Sequence, residues 1–291
     1  MTELSLHEAV SPPRSPWRDA LTRLLRNHAA VGSSIILVLI ALACVLGPSF
    51  SGYEIDAIDW DNIQTSPDNR HLFGTDGNGR DLLVRVLIGG RISLALGIAA
   101  TLVSVIIGVI WGALAGYLGG ALDSLMMRVV DVLYALPFMF FVILLIVFFG
   151  RNPILMFVAL GAVSWLDMAR IVRGQTLSLK HRDFVRAAQA MGAPTGHVVR
   201  RHVIPNLLGP VVVFATLTVP QVILFESFLS FLGLGVQEPM TSWGVLISEG
   251  AESMESSPWM LVFPAAFLAT TLFCLNFIGD GLRDALDPRD H

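Results

Sequence analysis

The sequence predicts an all-α membrane protein with six transmembrane helices. Three observations carry this. The 291-residue chain is 54% hydrophobic and 14% charged, against about 25% charged in soluble domains. Its charges divide it into apolar intervals of 15 to 31 residues, and a spanning helix needs ~20 apolar residues to cross ~30 Å of hydrocarbon. The apolar runs are also continuous rather than alternating, which favours helices over a barrel. Mean hydropathy is +0.68. A net charge of −4 leaves no basic excess for nucleic acid. The composition excludes disordered and collagen-like chains and argues against a lone soluble enzyme.

The elements follow in order. Residues 1–15 are polar and contain proline, and read as a disordered tail. Residues 16–28, PWRDALTRLLRNH, read as a helix. Ser15 can cap it, Pro16 suits its first turn, and Trp17, Leu21, Leu24 and Leu25 share one face. This reads as an interfacial helix or a solvated basic anchor, ending a tail over 1–28. The first span follows at 29–50. It has no small-x-small cleavage pattern, so it is expected to be retained.

Six charge-free intervals define the spans. They are Arg26 to Glu54 (27 residues), Arg91 to Asp123 (31), Asp131 to Arg151 (19), Arg151 to Asp167 (15), Arg201 to Glu226 (24) and Glu255 to Asp280 (24). With the N-terminus inside, 14 of the 19 Lys and Arg residues fall on the cytoplasmic side. That orients both termini inward. Residues 51–90 then form an extracytoplasmic segment, 91–280 the membrane core and 281–291 a cytoplasmic tail. Cys44 and Cys274, in apolar spans, read as small buried hydrophobes rather than a disulfide or metal pair.

The outer segment is acidic early and glycine-rich later. GTDGNG at 74–79 superficially matches a calcium loop but lacks the twelve-residue ligand pattern and its closing Glu. Asp76 and Asp81 read instead as caps of a tight turn, with Asp81 starting a short helix. TSWGVLISEGAES at 241–253 reads as a short or re-entrant helix on an acidic outer face, against a solvated loop.

Residues 174–205 form the most informative segment. Asp183 can cap a helix from Phe184 to Met191, Gly192 fits the left-handed position after it, Pro194 fits the first turn of a second helix, and Pro205 closes that helix. Two short basic helices with a glycine elbow, projecting between two spans, need a partner protein to pack on.

Charges at membrane depth are functional candidates. Asp131 is within helical reach of Arg128, and Asp167 of Arg170, near the cytoplasmic interface, so both read as structural pairs. Glu226, with Ser227 and Ser230, is a candidate for lining a path or neutralising a partner. Two membrane-depth aspartates also permit an intramembrane aspartyl protease. However, Gly233-Leu234-Gly235 is not followed by Asp, and both carboxylates have an Arg nearby. A stand-alone secondary transporter would want an inverted repeat and midplane ion ligands, and it leaves the projecting loop unexplained. Gly97, Gly108, Gly112 and Gly116 let the second span pack closely on its neighbours.

The projecting segment resembles the EAA loop of ATP-binding-cassette importer permeases. Ala187, Ala188, Gly192 and Pro205 match that pattern at its spacing, while Arg186, His202 and Ile204 replace its Glu, Ile and Leu. HLFGTDGNGRDLLVRVLIGGRISLALG, GYLGGALDSLMMRVVD, MARIVRGQTLSL, SFLGLGVQEPMTSWG and NFIGDGLRDALDPR extend the likeness over roughly residues 20–291. They resemble the C-type permease subunit of bacterial oligopeptide and dipeptide importers, closest on the oligopeptide side.

The resemblance implies a type I importer permease in the bacterial cytoplasmic membrane. It would pair with a B-type permease, two cytoplasmic ATPases and an extracytoplasmic peptide-binding protein. The ATPase-docking surface would comprise Asp183, Phe184, Arg186, Ala187, Ala188, Gly192, Ala193, Pro194, His197, Arg200, Arg201 and Pro205. No Gly-x4-Gly-Lys-Ser/Thr occurs, so ATP and Mg would be held by the partner ATPases and no cofactor by this chain. Dipeptide, glutathione and nickel are the alternative cargoes.

Overall fold

The computed structural model describes residues 16–149 and 153–286. The expected tail over 1–15 with Arg14 and the Ser15 cap, and Arg151, Arg289 and residues 287–291, lie outside the described residues.

Helix α1 (Pro16–Arg26) turns into α2 (His28–Phe50) at Asn27, whose side chain accepts the N–H groups of Ala29 and Ala30. This is an N-cap between two consecutive helices. After a lobe at 51–81, Asp81 caps α3 (Leu82–Leu118) by accepting from the Val84 N–H at 2.9 Å. The helix it starts is 37 residues long, about 55 Å, not a short one. Then come α4 (Gly120–Ala135), α5 (Phe138–Phe149), α6 (Pro153–Leu179), α7 (Asp183–Ala190), α8 (Thr195–Val198), a π turn at Val199–Val203, α9 (Ile204–Phe231), α10 (Trp243–Glu252) and α11 (Trp259–Leu286).

Among the described residues, four helical stretches are long and apolar enough to cross a membrane: α2, α3, the continuous run Thr195–Phe231, and α11. Six were expected. The third interval is broken at Pro137, which has no N–H to continue a helix. Its second half, α5, is 12 residues, about 18 Å, short of the ~30 Å core. The fourth interval is longer than its charges suggested, because α6 runs on through Asp167, Arg170 and Arg173.

Helices pass through these charges because the charges find partners. Arg173 makes a two-pronged bridge to Asp123 at 2.6 and 2.7 Å. Arg91, taken as the edge of a span, lies inside α3. Its guanidinium donates to the carbonyls of Cys44 (2.5 Å) and Val45 (2.6 Å). The Cys44 carbonyl is the one that Pro48, four residues on, leaves without its helical donor.

The bundle centres on α3, which packs chiefly against α6 and then α9. Gly108, Gly112 and Gly116 lie along the α6 seam. A Cβ on Gly112 would strike the Ala169 carbonyl and come within 2.9 Å of Val172 Cβ. Gly97 plays the same part against Ile223 of α9. Gly112→Ala should therefore lower the apparent Tm by at least ~4 °C, although alanine is the better helix former. Gly32→Ala, whose Cβ meets nothing within 4 Å, should leave it level or raise it. Thermal denaturation in detergent checks the pair, and equal shifts would overturn the close-seam account. Cys44 and Cys274 are free and buried.

The lobe at 51–81 is tied to α3 and α10 by ions. Asp76 accepts from the backbone N–H of Asn78 and of Arg80, from Arg80 Nε (2.7 Å) and from Arg85 Nη1 (2.5 Å). Burial pushes the Asp76 carboxyl up, but the Arg85 and Arg80 guanidinium groups and the Arg80 N–H outweigh it, and its pKa lies below the usual carboxylate range. Arg85 also holds Glu249 of α10 at 2.6 Å, and Arg80 holds Glu238 at 2.9 Å. His71 Nδ1 lies 2.9 Å from Asp81 Oδ2. Helix α10 is a short helix, not a solvated loop. Ser242 caps it, and Trp243 and Leu246 are buried against the bundle.

Candidate functional site

The projecting segment is an elbow built as expected, shifted by one residue at each cap. Arg182, not Asp183, occupies the N-cap of α7, with no side-chain cap bond. Asp183 is the first helical residue, where its charge favours the positive helix end. Asp183 lacks the cap role because the N–H groups that a cap at Asp183 would take, those of Val185 and Arg186, bond the Arg182 carbonyl. At the far end Ala193 N–H bonds the Ala188 carbonyl (3.1 Å) and Gly192 N–H the Gln189 carbonyl (2.9 Å). This is the Schellman pattern, with Gly192 at φ +81°. Pro194 is the N-cap of α8 rather than in its first turn.

Pro205 does not close the second helix. It sits in the first turn of α9, where a missing N–H is tolerated. The π turn, closed by Ile204 N–H on the Val199 carbonyl, carries the helix from Thr195 to Phe231. The elbow is thus one continuous body with α9.

Two faces differ sharply. Val185, Ala188, Val198, Val199 and Val203 are buried in one cluster with Met168 and Val172 of α6, Ala113 and Tyr117 of α3, and Leu207 and Val211 of α9. Gln189 donates to the Tyr117 hydroxyl at 2.9 Å, which fixes the elbow to the end of α3. Phe184, Arg186, Ala187, His197, Arg200, Arg201 and Met191, the last 81% exposed, face outward. Gly192, Pro194 and Pro205 are also exposed, and Ala193 is half-buried. Of the expected docking residues Ala188 alone points wholly inward, as an anchor. Phe184 and His202 stand 6.4 Å apart ring to ring, and His202 stands 6.1 Å from His197.

A second feature was not legible beforehand. Asp131 pairs with Arg170 at 2.8 Å, not with Arg128. Arg170 also stacks 4.3 Å over the Tyr134 ring, and Asp167, taken as the partner of Arg170, hydrogen-bonds Tyr134 instead. Asp131 stands eleven residues from the start of α4, and Asp167 twelve from the end of α6. That is about 17–18 Å from the elbow-side helix ends. Asp167, alone of these charges, lines a cavity of about 360 Å³ walled by the Pro137 break, α6 and α9. Tyr134, Ser164, Asp167, Thr218 and Gln221 supply its polar atoms and Phe214 and Phe225 its aromatic wall.

Glu226, Ser227 and Ser230 are elsewhere. Glu226 is fully buried inside the chain. It accepts from Ser230 Oγ at 2.7 Å and Ser93 Oγ at 3.2 Å. Ser93 Oγ in turn accepts the Trp243 N–H at 3.2 Å. The carboxylate joins α3, α9 and the positive N-terminal end of α10, and it does not line the cavity.

Membrane-length helices around a partly polar cavity, with a helical elbow cast out at one end, are the architecture of a polytopic transport subunit. The comparisons agree. Residues 108–289 match a family described as binding-protein-dependent transport system inner membrane component, and residues 15–68 match the N-terminal TM domain of oligopeptide transport permease C. The oligopeptide transport system permease protein OppC of Escherichia coli strain K12 is 64% identical over 279 residues, 95% of this chain and 92% of that one. The dipeptide transport system permease protein DppC of Bacillus subtilis is 44% identical over 281 residues, 96% and 87% of the two chains. The fold is shared with a solved chain of the MetNI methionine ABC transporter in an inward-facing conformation, at TM-score 0.57 and 20% identity over 71% of this chain and 96% of that one. The chain belongs to the binding-protein-dependent transport system inner membrane component family, in its oligopeptide permease C branch.

Proposed function

We propose that this chain is the C-type permease subunit of an ATP-driven oligopeptide importer in a bacterial cytoplasmic membrane. The 64% identity to a permease named for oligopeptide transport carries the reading, and the elbow supports it. An apolar back seated in the bundle and a cationic, aromatic front suit a helix laid into a partner's groove. In this reading two cytoplasmic ATPases hold the elbow, a B-type permease supplies the other half of the path, and an extracytoplasmic binding protein delivers peptide. ATP and Mg belong to the ATPases, and this chain does no chemistry.

Six crossings are proposed. Helices α4 and α5 together make the third and α6 makes the fourth, with both termini cytoplasmic. Because the elbow continues through the π turn into α9, ATPase closure would move α9 and with it the wall of the cavity. Dipeptide cargo is the second reading, favoured by the 44% identity to a dipeptide permease.

The test is uptake of labelled di-, tri- and pentapeptides by a strain lacking its peptide importers, with and without this chain and its partner subunits. Energy-dependent uptake of the longer peptides is expected. Uptake of dipeptide alone would move the cargo, and no peptide uptake would overturn the proposal.

A further inference from the structure

We infer that the cavity beside the Pro137 break recognises the ammonium group of the passing peptide through Asp167; the inference rests on the permease reading above. Asp131 and Arg170 remain 65% and 41% exposed on the outside of this chain, and Asp167 is exposed beside them. Charged side chains on a spanning helix turn to protein or water rather than to hydrocarbon. In the permease reading, the face carrying them opens on the path or its rim.

The charges there are unequal. Arg170 is taken up by Asp131. Asp167 has no cationic partner among the described residues and receives only the Tyr134 hydroxyl. Asp167 is thus without an ion-pair partner among the described residues, and it sits on the wall of a cavity of about 360 Å³, the size of small-ligand pockets. Around Asp167 the wall offers the Ser164, Thr218 and Gln221 side chains to peptide groups and the Phe214 and Phe225 rings to side chains of any kind. A carboxylate among adaptable polar and aromatic groups suits a cargo whose constant feature is a terminal ammonium and whose side chains vary. The ammonium would donate to the Asp167 oxygens that Tyr134 leaves open.

The full importer, with its ATPases, second permease and binding protein, is reconstituted in proteoliposomes. Uptake of trialanine and of N-acetyl-trialanine is then compared at equal complex assembly. Asp167→Asn should lower the trialanine-to-acetylated uptake ratio roughly tenfold, the low end for a hydrogen bond to a charged group, and Asp167→Glu should keep it. The binding protein is the same throughout, so its own preference cancels. An unchanged ratio overturns the inference.

Gln221→Cys gives a second reading, needed where Asp167→Asn fails to assemble. A charged thiol reagent should label it, and trialanine should slow labelling more than the acetylated peptide. An unlabelled cysteine, as when a basic side chain of the second permease fills the cavity, or equal protection by both peptides, overturns the inference. Wild-type complex that takes up neither peptide would instead overturn the importer reading itself.

Discussion

Replacing Gly192 by proline should abolish peptide-stimulated ATP hydrolysis and uptake, a loss of at least about tenfold, while leaving membrane insertion intact. Gly192 stands at φ +81°, and a proline ring holds φ near −65°. The substitution also deletes the N–H that bonds the Gln189 carbonyl and restricts Met191 before it. The Schellman closure is lost, so α7 and α8 can no longer keep their mutual angle. The buried faces of the elbow and α9 are untouched, so the bundle should survive. Gly192→Ala should fall between, because a left-handed alanine costs only about 1–2 kcal/mol and no neighbour lies within 4 Å of its Cβ. Full stimulation in Gly192→Pro would show that the elbow does not carry the coupling.

Arg85→Ala should be the most damaging change at the opposite end. The Arg85 side chain is 2% exposed and holds Asp76 and Glu249 together. Its removal leaves two carboxylates facing each other with Arg80 alone to offset them. Breaking a buried ion pair from one side costs about 3–5 kcal/mol, which corresponds to a Tm fall on the order of 10 °C. Lysine should not rescue, since a single ammonium cannot reproduce the fork that reaches both carboxylates. Thermal denaturation of the purified complex, with limited proteolysis across 51–81, measures the effect. A variant as stable and as protease-resistant as wild type would exclude the ion network as the clasp of the lobe.

The two sites differ in how much of them sequence reasoning could reach. The elbow was legible because its signals are local: Gly192, the flanking prolines and the alanine-rich α7 lie within a few residues of one another. Its cap positions slipped by one because a backbone carbonyl, that of Arg182, accepts the N–H groups a side-chain cap would have taken. The Asp131–Arg170 pair is not legible, because the two are 39 residues apart and Arg128 is the nearer candidate on the chain. Arg85 and Glu249 are 164 apart. A charge marks a span edge only where it has no partner inside the bundle. Arg91, Asp123 and Arg173 all have one, so α3 and α6 outrun their apolar intervals. Glu226 reads from sequence as lining a path or neutralising a partner, because Ser93 and the start of α10, which enclose it, are distant on the chain.

Helix α3 has a mechanical consequence. Prolines interrupt α2, α9 and α11, but none interrupts α3. It begins at the ion-clasped lobe and ends where Tyr117 meets the elbow. The glycine seam with α6, Gly108 to Gly116, lies at its elbow end, so a rod pivoting there has a long arm at the lobe and a short one at the elbow. A tilt of about 5° over about 55 Å displaces one tip relative to the other by about 5 Å, roughly one helical turn. A displacement of the lobe would therefore reach the elbow with no bond between them, scaled down by the ratio of the two arms.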